Sequence, residues 1–370
     1  MPIKCIDVLN VLVFQRQLRK FNGDAKLSPL KDGDQFSDGF HLDFGAGINV
    51  LIGENGVGKT SLLKMIYAAT QWSIEKTEVG KTRQLLHFFS DHLKDNMALR
   101  SANHEDGYCT FSVSDGEHKF EYSLSHDGFF NFDDWLGLNY QSVYIPTMEM
   151  LSHAKGFLAM NQKYSMPFDG TQIDIIVNAS LPETREVSPV AGKILEKLSS
   201  MIDGTVVQED DIFYVLKKDG RKVDFSLEAE GLRKFGLLWK LVRNGLLEKG
   251  SILIWDEPEA NMNPEMYPVL ADIILALADY GVQCFVATHS YNFAKYLEIR
   301  KTKPGQVLFH NLYKGSTEIP EELRHFSPVE EPGTAIYSST AETLEELASN
   351  SIMTADQKLL DEVYDFRRQS

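Results

Sequence analysis

Eight consecutive residues, Gly53-Glu54-Asn55-Gly56-Val57-Gly58-Lys59-Thr60, fit the pattern G-x-x-x-x-G-K-[ST] and follow an apolar run, Ile48 to Ile52. Glycines let a backbone curl until successive N–H groups point into one hollow that suits an anion. A helix from Ser61, with Leu62, Ile66 and Ala69 on one face, would add the positive end of its dipole to that hollow. Lys59 is placed to reach the β- and γ-phosphates of a nucleotide, and the Thr60 hydroxyl to ligate Mg²⁺. A second constellation lies at Ile252-Leu253-Ile254-Trp255-Asp256-Glu257-Pro258, where an apolar run ends in two carboxylates. Asp256 suits a Mg²⁺ site, and Glu257 suits the orientation and deprotonation of an attacking water. A third ends the run Cys284 to Ala287 in Thr288-His289-Ser290, with His289 lying 33 residues beyond Asp256. A histidine there can donate a hydrogen bond to a γ-phosphate and respond to its loss. The fourth, Ala229-Glu230-Gly231, opens a helix, with Gly231 25 residues before Asp256. Free amides at that helix start could clasp a γ-phosphate from a second subunit, and they would serve equally as an ordinary cap.

The elements that must position these groups alternate between strand and helix patterns. Ile48–Ile52, Ser142–Ile145, Ser251–Trp255 and Gln283–Thr288 read as buried parallel strands, with Pro264–Tyr280 a helix between the last two. Cys5–Phe14 reads as a β-branched strand, and Tyr108–Phe132 alternates as an antiparallel sheet turning at Asp115-Gly116 and Asp127-Gly128. Helices are expected at Leu85–Leu99, Val187–Met201 and Leu232–Leu247, a hairpin over Phe213–Leu227 turning at Asp219-Gly220, and a polar loop over Asn22–Gly39. From Ser339 the tail carries two S/T-x-x-E/Q patterns, Ser339 with Glu342 and Thr354 with Gln357, which predict two helices. These elements divide the chain into 1–71 with the glycine-rich loop, 72–141, 142–228, 229–313 with the other three constellations, and a helical tail, 314–370.

Composition narrows the function classes. With 37 basic against 53 acidic residues the net charge is −16, which opposes non-specific binding to a nucleic-acid backbone. The three cysteines, Cys5, Cys109 and Cys284, form no CxxC pair and fit a reducing cytoplasm better than a disulfide framework or zinc site. The chain opens with no secretory pattern, and its longest apolar stretch, Met266 to Ala287, is broken by Asp272 and Asp279, so no membrane association is expected. Phe129, Phe130, Phe132 and Trp135 read as core, His104-Glu105-Asp106 as a solvated loop, and Glu209-Asp210-Asp211 as a turn.

The four constellations, in this order and at these separations, resemble the ABC ATPase class, nearest to the soluble heads of SMC and RecF proteins and to OLD-family ATPases. Tyr144-Ile145-Pro146-Thr147-Met148-Glu149-Met150-Leu151-Ser152, Glu230-Gly231-Leu232-Arg233-Lys234 and Asp256-Glu257-Pro258-Glu259-Ala260-Asn261 look like bacterial stand-alone AAA-type ATP-binding proteins. The resemblance runs from Cys5 to about Tyr313. It implies an α/β fold, an ABC-type P-loop NTPase core of mixed or parallel sheet with helices, plus an antiparallel β-subdomain and a helical insertion. It also implies hydrolysis of ATP with Mg²⁺ between two copies. Gly53 to Ser61, Asp256, Glu257 and His289 would lie on one face, Ala229 to Gly231 would come from the partner, and Ala260 to Asn263 would cross the interface. Three departures stand out: Ala229 replaces the family's serine, Pro146-Thr147 replaces a metal-reaching glutamine (Thr147 or Glu149 could stand in), and Asn263 replaces histidine or aspartate. No acidic nuclease cluster follows His289, so a nuclease or toxin effector would be a separate protein. The expected role is a nucleotide-driven switch for that effector, with phage defence as its setting. The alternative is a RecF-like genome-maintenance ATPase that binds DNA. A transporter subunit is disfavoured because Met150–Leu227 does not resemble a transporter's helical subdomain.

Overall fold

The structure is a computed structural model, and it describes residues 1–14, 19–20, 36–37, 39–74, 87–89, 99, 109–123, 130–131, 134–164, 166–316 and 334–369. Strand β1 (Cys5–Leu9) turns Ile6 and Val8 inward and pairs antiparallel with β2 (Phe40–Asp43). Strand β3 (Ile48–Gly53) is buried at every position, as a strand covered on both faces must be. After it the chain turns through the glycine-rich loop into α1 (Lys59–Trp72). Strands β4 (Thr110–Ser114), β5 (Lys119–Ser123) and β6 (Phe130–Asn131) complete an antiparallel sheet in the order β2-β1-β4-β5-β6. The predicted turn at Asp115-Gly116 is present. Asp115 Oδ1 accepts the amides of Glu117 and His118, and Gly116 takes the left-handed φ of 95° that the reversal needs.

Beyond β7 (Ser142–Ile145) come α2 (Phe157–Tyr164), α3 (Gly170–Ala179) and α4 (Pro189–Ile202). Asp169 and Gln172 form a reciprocal capping box on α3, and Ser188 with Pro189 starts α4. A three-stranded meander follows, β8 (Gly204–Glu209), β9 (Ile212–Lys217) and β10 (Lys222–Asp224), reversing at Asp210-Asp211 and at Asp219-Gly220. Helix α5 (Glu230–Arg243) leads to β11 (Ile252–Asp256), α6 (Tyr267–Tyr280), β12 (Gln283–Ala287), α7 (Tyr291–Arg300), β13 (Val307–Ser316), β14 (Thr334–Ala341) and α8 (Ser351–Gln369).

The central sheet runs β14-β13-β3-β12-β11-β7, parallel throughout except for β14. Side chains alternating along β3 separate the two cores: Ile48, Val50 and Ile52 join helices α4–α6, while Leu51 joins α1 and the antiparallel sheet. Trp135 is fully buried in this second core and donates its Nε1 hydrogen to the Ala69 carbonyl, the packing role expected of it. The tail departs from expectation. Ser339 lies within β14, paired with Asn311, so the first predicted helix is a strand. Thr354 lies inside α8, and Asn350 caps that helix by accepting the Met353 amide. Phe129, Phe132, His104 to Asp106, and most of the helix expected at Leu85–Leu99 and of the loop expected at Asn22–Gly39 lie outside the described residues. Among the described residues no helix is long and apolar enough to cross a membrane.

Candidate functional site

The glycine-rich loop sits at the carboxyl end of β3, between β13 and β12, where the switch in strand order opens a crevice. Gly53, Gly56 and Gly58 have φ of 135°, 78° and 93°. A Cβ on Gly53 would stand 2.1 Å from the Leu312 carbonyl oxygen, and one on Gly58 would stand 2.5 Å from the Phe14 ring. Side chains are therefore excluded by both torsion and space, and backbone amides line the hollow. Lys59 folds back across the loop and donates to the carbonyls of Gly53 and Glu54 at 2.9 and 2.8 Å. Burial brings its ammonium down to about 8, opposed by Asp256, Glu257 and Glu54, so it stays protonated at neutral pH.

Asp256 ends β11 beside the start of α1. The Thr60 hydroxyl donates to Asp256 Oδ2 at 2.9 Å, and the Tyr144 hydroxyl lies 3.4 Å from the same oxygen. Burial raises the Asp256 carboxyl above its ordinary range, with Thr60 opposing and Glu257 adding to the rise. A buried carboxylate whose hydrogen-bond partners among the described residues are the hydroxyls of Thr60 and Tyr144 is part of a hard-oxygen pair with that threonine that fits Mg²⁺.

Glu257 adopts a left-handed φ of 49°, unusual for a side chain other than glycine or asparagine. Its amide donates to the Ala287 carbonyl at 2.9 Å, and its Oε1 lies 3.5 Å from His289 Nε2. His289 follows β12, and burial followed by the Lys59 charge lowers its pKa, so the ring is neutral at pH 7. Gly53, Glu54, Asn55 and His289 line one cavity of about 490 Å³, whose far wall includes Ile352, Ala355 and Leu359 of α8.

The structure thus brings together the loop, Lys59, Thr60, Asp256, Glu257 and His289. Ala229 to Gly231 sit elsewhere. Glu230 accepts from Asn261 Nδ2 at 2.9 Å, and Gly231 lies against Met262. Among the described residues no hydrogen bond joins those three to the loop of their own chain. Of the two proposed glutamine substitutes, Glu149 is committed otherwise: it accepts the Leu151 amide and the Arg233 guanidinium. Asn263 caps the following turn through the Glu265 amide.

Three residues near the site lie in stretches that carry the family resemblance, yet the sequence assigned none of them a role. Lys234, nearly inaccessible, donates to the carbonyls of Glu257, Pro258 and Ala260 at 3.2, 3.2 and 2.6 Å, fixing the loop that bears Glu257. Its place on the apolar stripe of α5, four residues before Leu238 and seven before Leu241, is the clue to its burial. Glu259 is buried and accepts the Thr288 hydroxyl at 2.5 Å and the His289 amide at 3.3 Å, tying the ends of β11 and β12 together. Tyr144 reaches Asp256 from the neighbouring strand.

Two family models match the chain. One, described as "AAA domain", covers residues 34–152, and the other, described as "AAA domain, putative AbiEii toxin, Type IV TA system", covers 166–294. No curated protein matches. Among solved structures, an SMC head bound to the C-winged helix domain of ScpA aligns with a TM-score of 0.50 at 10% identity, over 92% of this chain and 98% of that one. The SMC head domain of Thermotoga maritima aligns at 0.48 and 14% identity, over 92% and 99%. A nucleotide-free ATP-binding cassette from an ABC transporter aligns at 0.37 and 11% identity, over 83% and 87%. The chain therefore has the mixed α/β P-loop fold of SMC heads and carries two AAA-type segments, the first including β7 and the second beginning at 166.

Proposed function

We propose, with a P-loop head of the AAA/ABC type as the premise, that this chain binds and hydrolyses ATP between two copies of itself and serves as a switch read by a separate effector protein. The observation that carries the reading is the convergence of Lys59, the Thr60–Asp256 pair at 2.9 Å and the Glu257–His289 pair at 3.5 Å at one mouth of the sheet. The amides of Gly53 to Gly58, the Lys59 ammonium and the first turn of α1, which includes Ser61, bind the β- and γ-phosphates. Thr60 and Asp256 would hold Mg²⁺, which when bound offsets phosphate charge. Glu257 takes the proton of the attacking water as its oxygen bonds to the γ-phosphorus. The bond to the bridging oxygen breaks and leaves ADP and phosphate. Neutral His289 donates a hydrogen bond to a γ-phosphate oxygen. A second copy would present Ala229, Glu230 and Gly231, which in their own chain pack on Asn261 and Met262.

The description of 166–294 names a toxin of a Type IV TA system; a nuclease or toxin as the separate effector, with phage defence as the setting, is our reading of the resemblance to stand-alone AAA-type proteins. Free thiols at Cys5, Cys109 and Cys284 suit a reducing cytoplasm. Glu257→Gln tests the mechanism: phosphate release should fall on the order of a hundredfold or more while Mg·ATP still binds. Turnover at the parent rate removes Glu257 as the base.

A further inference from the structure

We propose that Cys5, Asp7 and His41 bind a divalent transition metal, Zn²⁺ by the chemistry of the set, on the outer face of the antiparallel sheet. The site shares no residue with the nucleotide-binding groups and does not depend on them. Along β1 the burial alternates: Ile6 and Val8 turn into the core, while Cys5 and Asp7 stay partly exposed on the opposite face. On β2 the same alternation buries Phe40 and Leu42 and leaves His41 and Asp43 outside. The register sets Cys5 opposite Asp43 and Asp7 opposite His41, so one face of the ladder gathers a thiol, an imidazole and two carboxylates.

Cys5 Sγ, an Asp7 oxygen and a His41 ring nitrogen lie within 4.8 Å of one another. The ligands of one tetrahedral zinc stand about 3.3–3.6 Å apart, so the set closes on an ion by side-chain shifts of about 1 Å. His41 Nδ1 lies 2.7 Å from Asp7 Oδ1 and Nε2 lies 3.2 Å from Asp43 Oδ1, so each ring nitrogen has its own carboxylate. With Nδ1 on the metal beside Asp7, Nε2–H donates to Asp43, the carboxylate–histidine pairing that orients a metal-bound imidazole. The Ser112 hydroxyl donates to Asp7 Oδ2 at 3.2 Å and orients that ligand from β4. Sulfur, imidazole and a single carboxylate select zinc over the Mg²⁺ that suits the hard oxygens of Thr60 and Asp256. The His41 and Asp7 side chains are 29% and 50% exposed, so an ion can enter and water can complete the tetrahedron. Bound there, it ties β2, at one end of the sheet order, to β1. The lack of a CxxC pair hid this set, because His41 lies 34 residues beyond Asp7 and only the strand pairing joins them.

The test uses untagged full-length protein, reduced, stripped with a chelator and titrated with Co²⁺ in excess Mg²⁺, which fills hard-oxygen sites. One equivalent should give the near-ultraviolet charge-transfer band of a cobalt thiolate, and Zn²⁺ should abolish it. Stoichiometric Zn²⁺ should also raise the melting temperature of the parent. Cys5→Ser, nearly isosteric, should remove the band. Asp43→Asn, which changes only the outer carboxylate, should weaken Zn²⁺ binding about tenfold, and His41→Ala, which removes a ligand, about a hundredfold or more. Circular dichroism of the metal-free variants separates loss of a ligand from loss of fold. Cys109 and Cys284 are buried. A band that persists in Cys5→Ser, or parental Zn²⁺ affinity in folded His41→Ala, therefore overturns the site. The absence of a band at one equivalent overturns it too, and leaves His41 a plain ion-pair partner of two aspartates.

Discussion

Replacing Lys234 by methionine keeps the apolar stem inside the core and removes only the ammonium. Three carbonyls of the loop from Glu257 to Ala260 then lose their shared donor. Hydrogen bonds to a charged group contribute about 1.5–3 kcal/mol each, but the buried ammonium is itself desolvated, so the net loss is on the order of 3 kcal/mol and not the sum. The backbone at Glu257 is already in a left-handed conformation, so relaxation of the loop moves its carboxylate before anything else. If about half or more of that loss falls on the placement of Glu257, kcat for ATP drops roughly 10- to 100-fold by transition-state arithmetic. The phosphate cradle is untouched, so KM should change less than about threefold. Steady-state phosphate release, normalised to nucleotide-binding sites, separates these outcomes, and Lys234→Arg, which keeps the charge, should retain part of the rate. A Lys234→Met enzyme with parental kcat per binding site would refute the positioning role, even if its thermal stability fell.

Lys59→Ala should abolish the heat of Mg·ATP binding in calorimetry, a loss of about a hundredfold or more in affinity given the removal of a buried cation at the phosphates; heat that persists would place the nucleotide elsewhere. Gly53→Ala puts a Cβ 2.1 Å from the Leu312 carbonyl at φ 135°, so the melting temperature should fall and ATP binding with it, by about 2 kcal/mol or more of stability. His310 gives a pH dependence. Fully buried between Thr340 and Asn49, it is held by burial at about 3. The unfolded chain titrates near 6.5, so its stabilising effect is complete above that pH and is lost as pH falls toward 3, on the order of 5 kcal/mol in all. Denaturant melts between pH 7.5 and 5.5 should slope downward in the parent and less so in His310→Phe; equal slopes would remove His310 as the source.

The residues legible in the sequence were those whose chemistry is written in a contiguous stretch. The loop at Gly53–Thr60 and the pair Asp256-Glu257 each announce themselves within eight residues, and buried strands delivered both to one edge. Lys234, Glu259 and Tyr144 fall in stretches that carry the resemblance, but their roles were not legible because their partners lie 23 to 112 residues away, and only the packed sheet brings them together. The tail misled for a related reason. Ser339 and Glu342 have the spacing of a helix cap, but eight paired positions against β13 outweigh one local hydrogen bond, and the segment extends as a strand. Position 149 shows a further limit: its acidic side chain suited a metal, yet an arginine from α5 had claimed it.

The neighbours of β3 carry a consequence for how the protein is made. Ile48 pairs with Cys284 on one side and with Val307 on the other, strands that leave the ribosome more than 200 residues later. At roughly 5–20 residues per second, synthesis of that interval takes on the order of ten to fifty seconds, during which the glycine-rich segment has neither flank in place. A nascent chain released before Val307 would keep the whole Gly53–Thr60 signature and lack one of the walls that shape it.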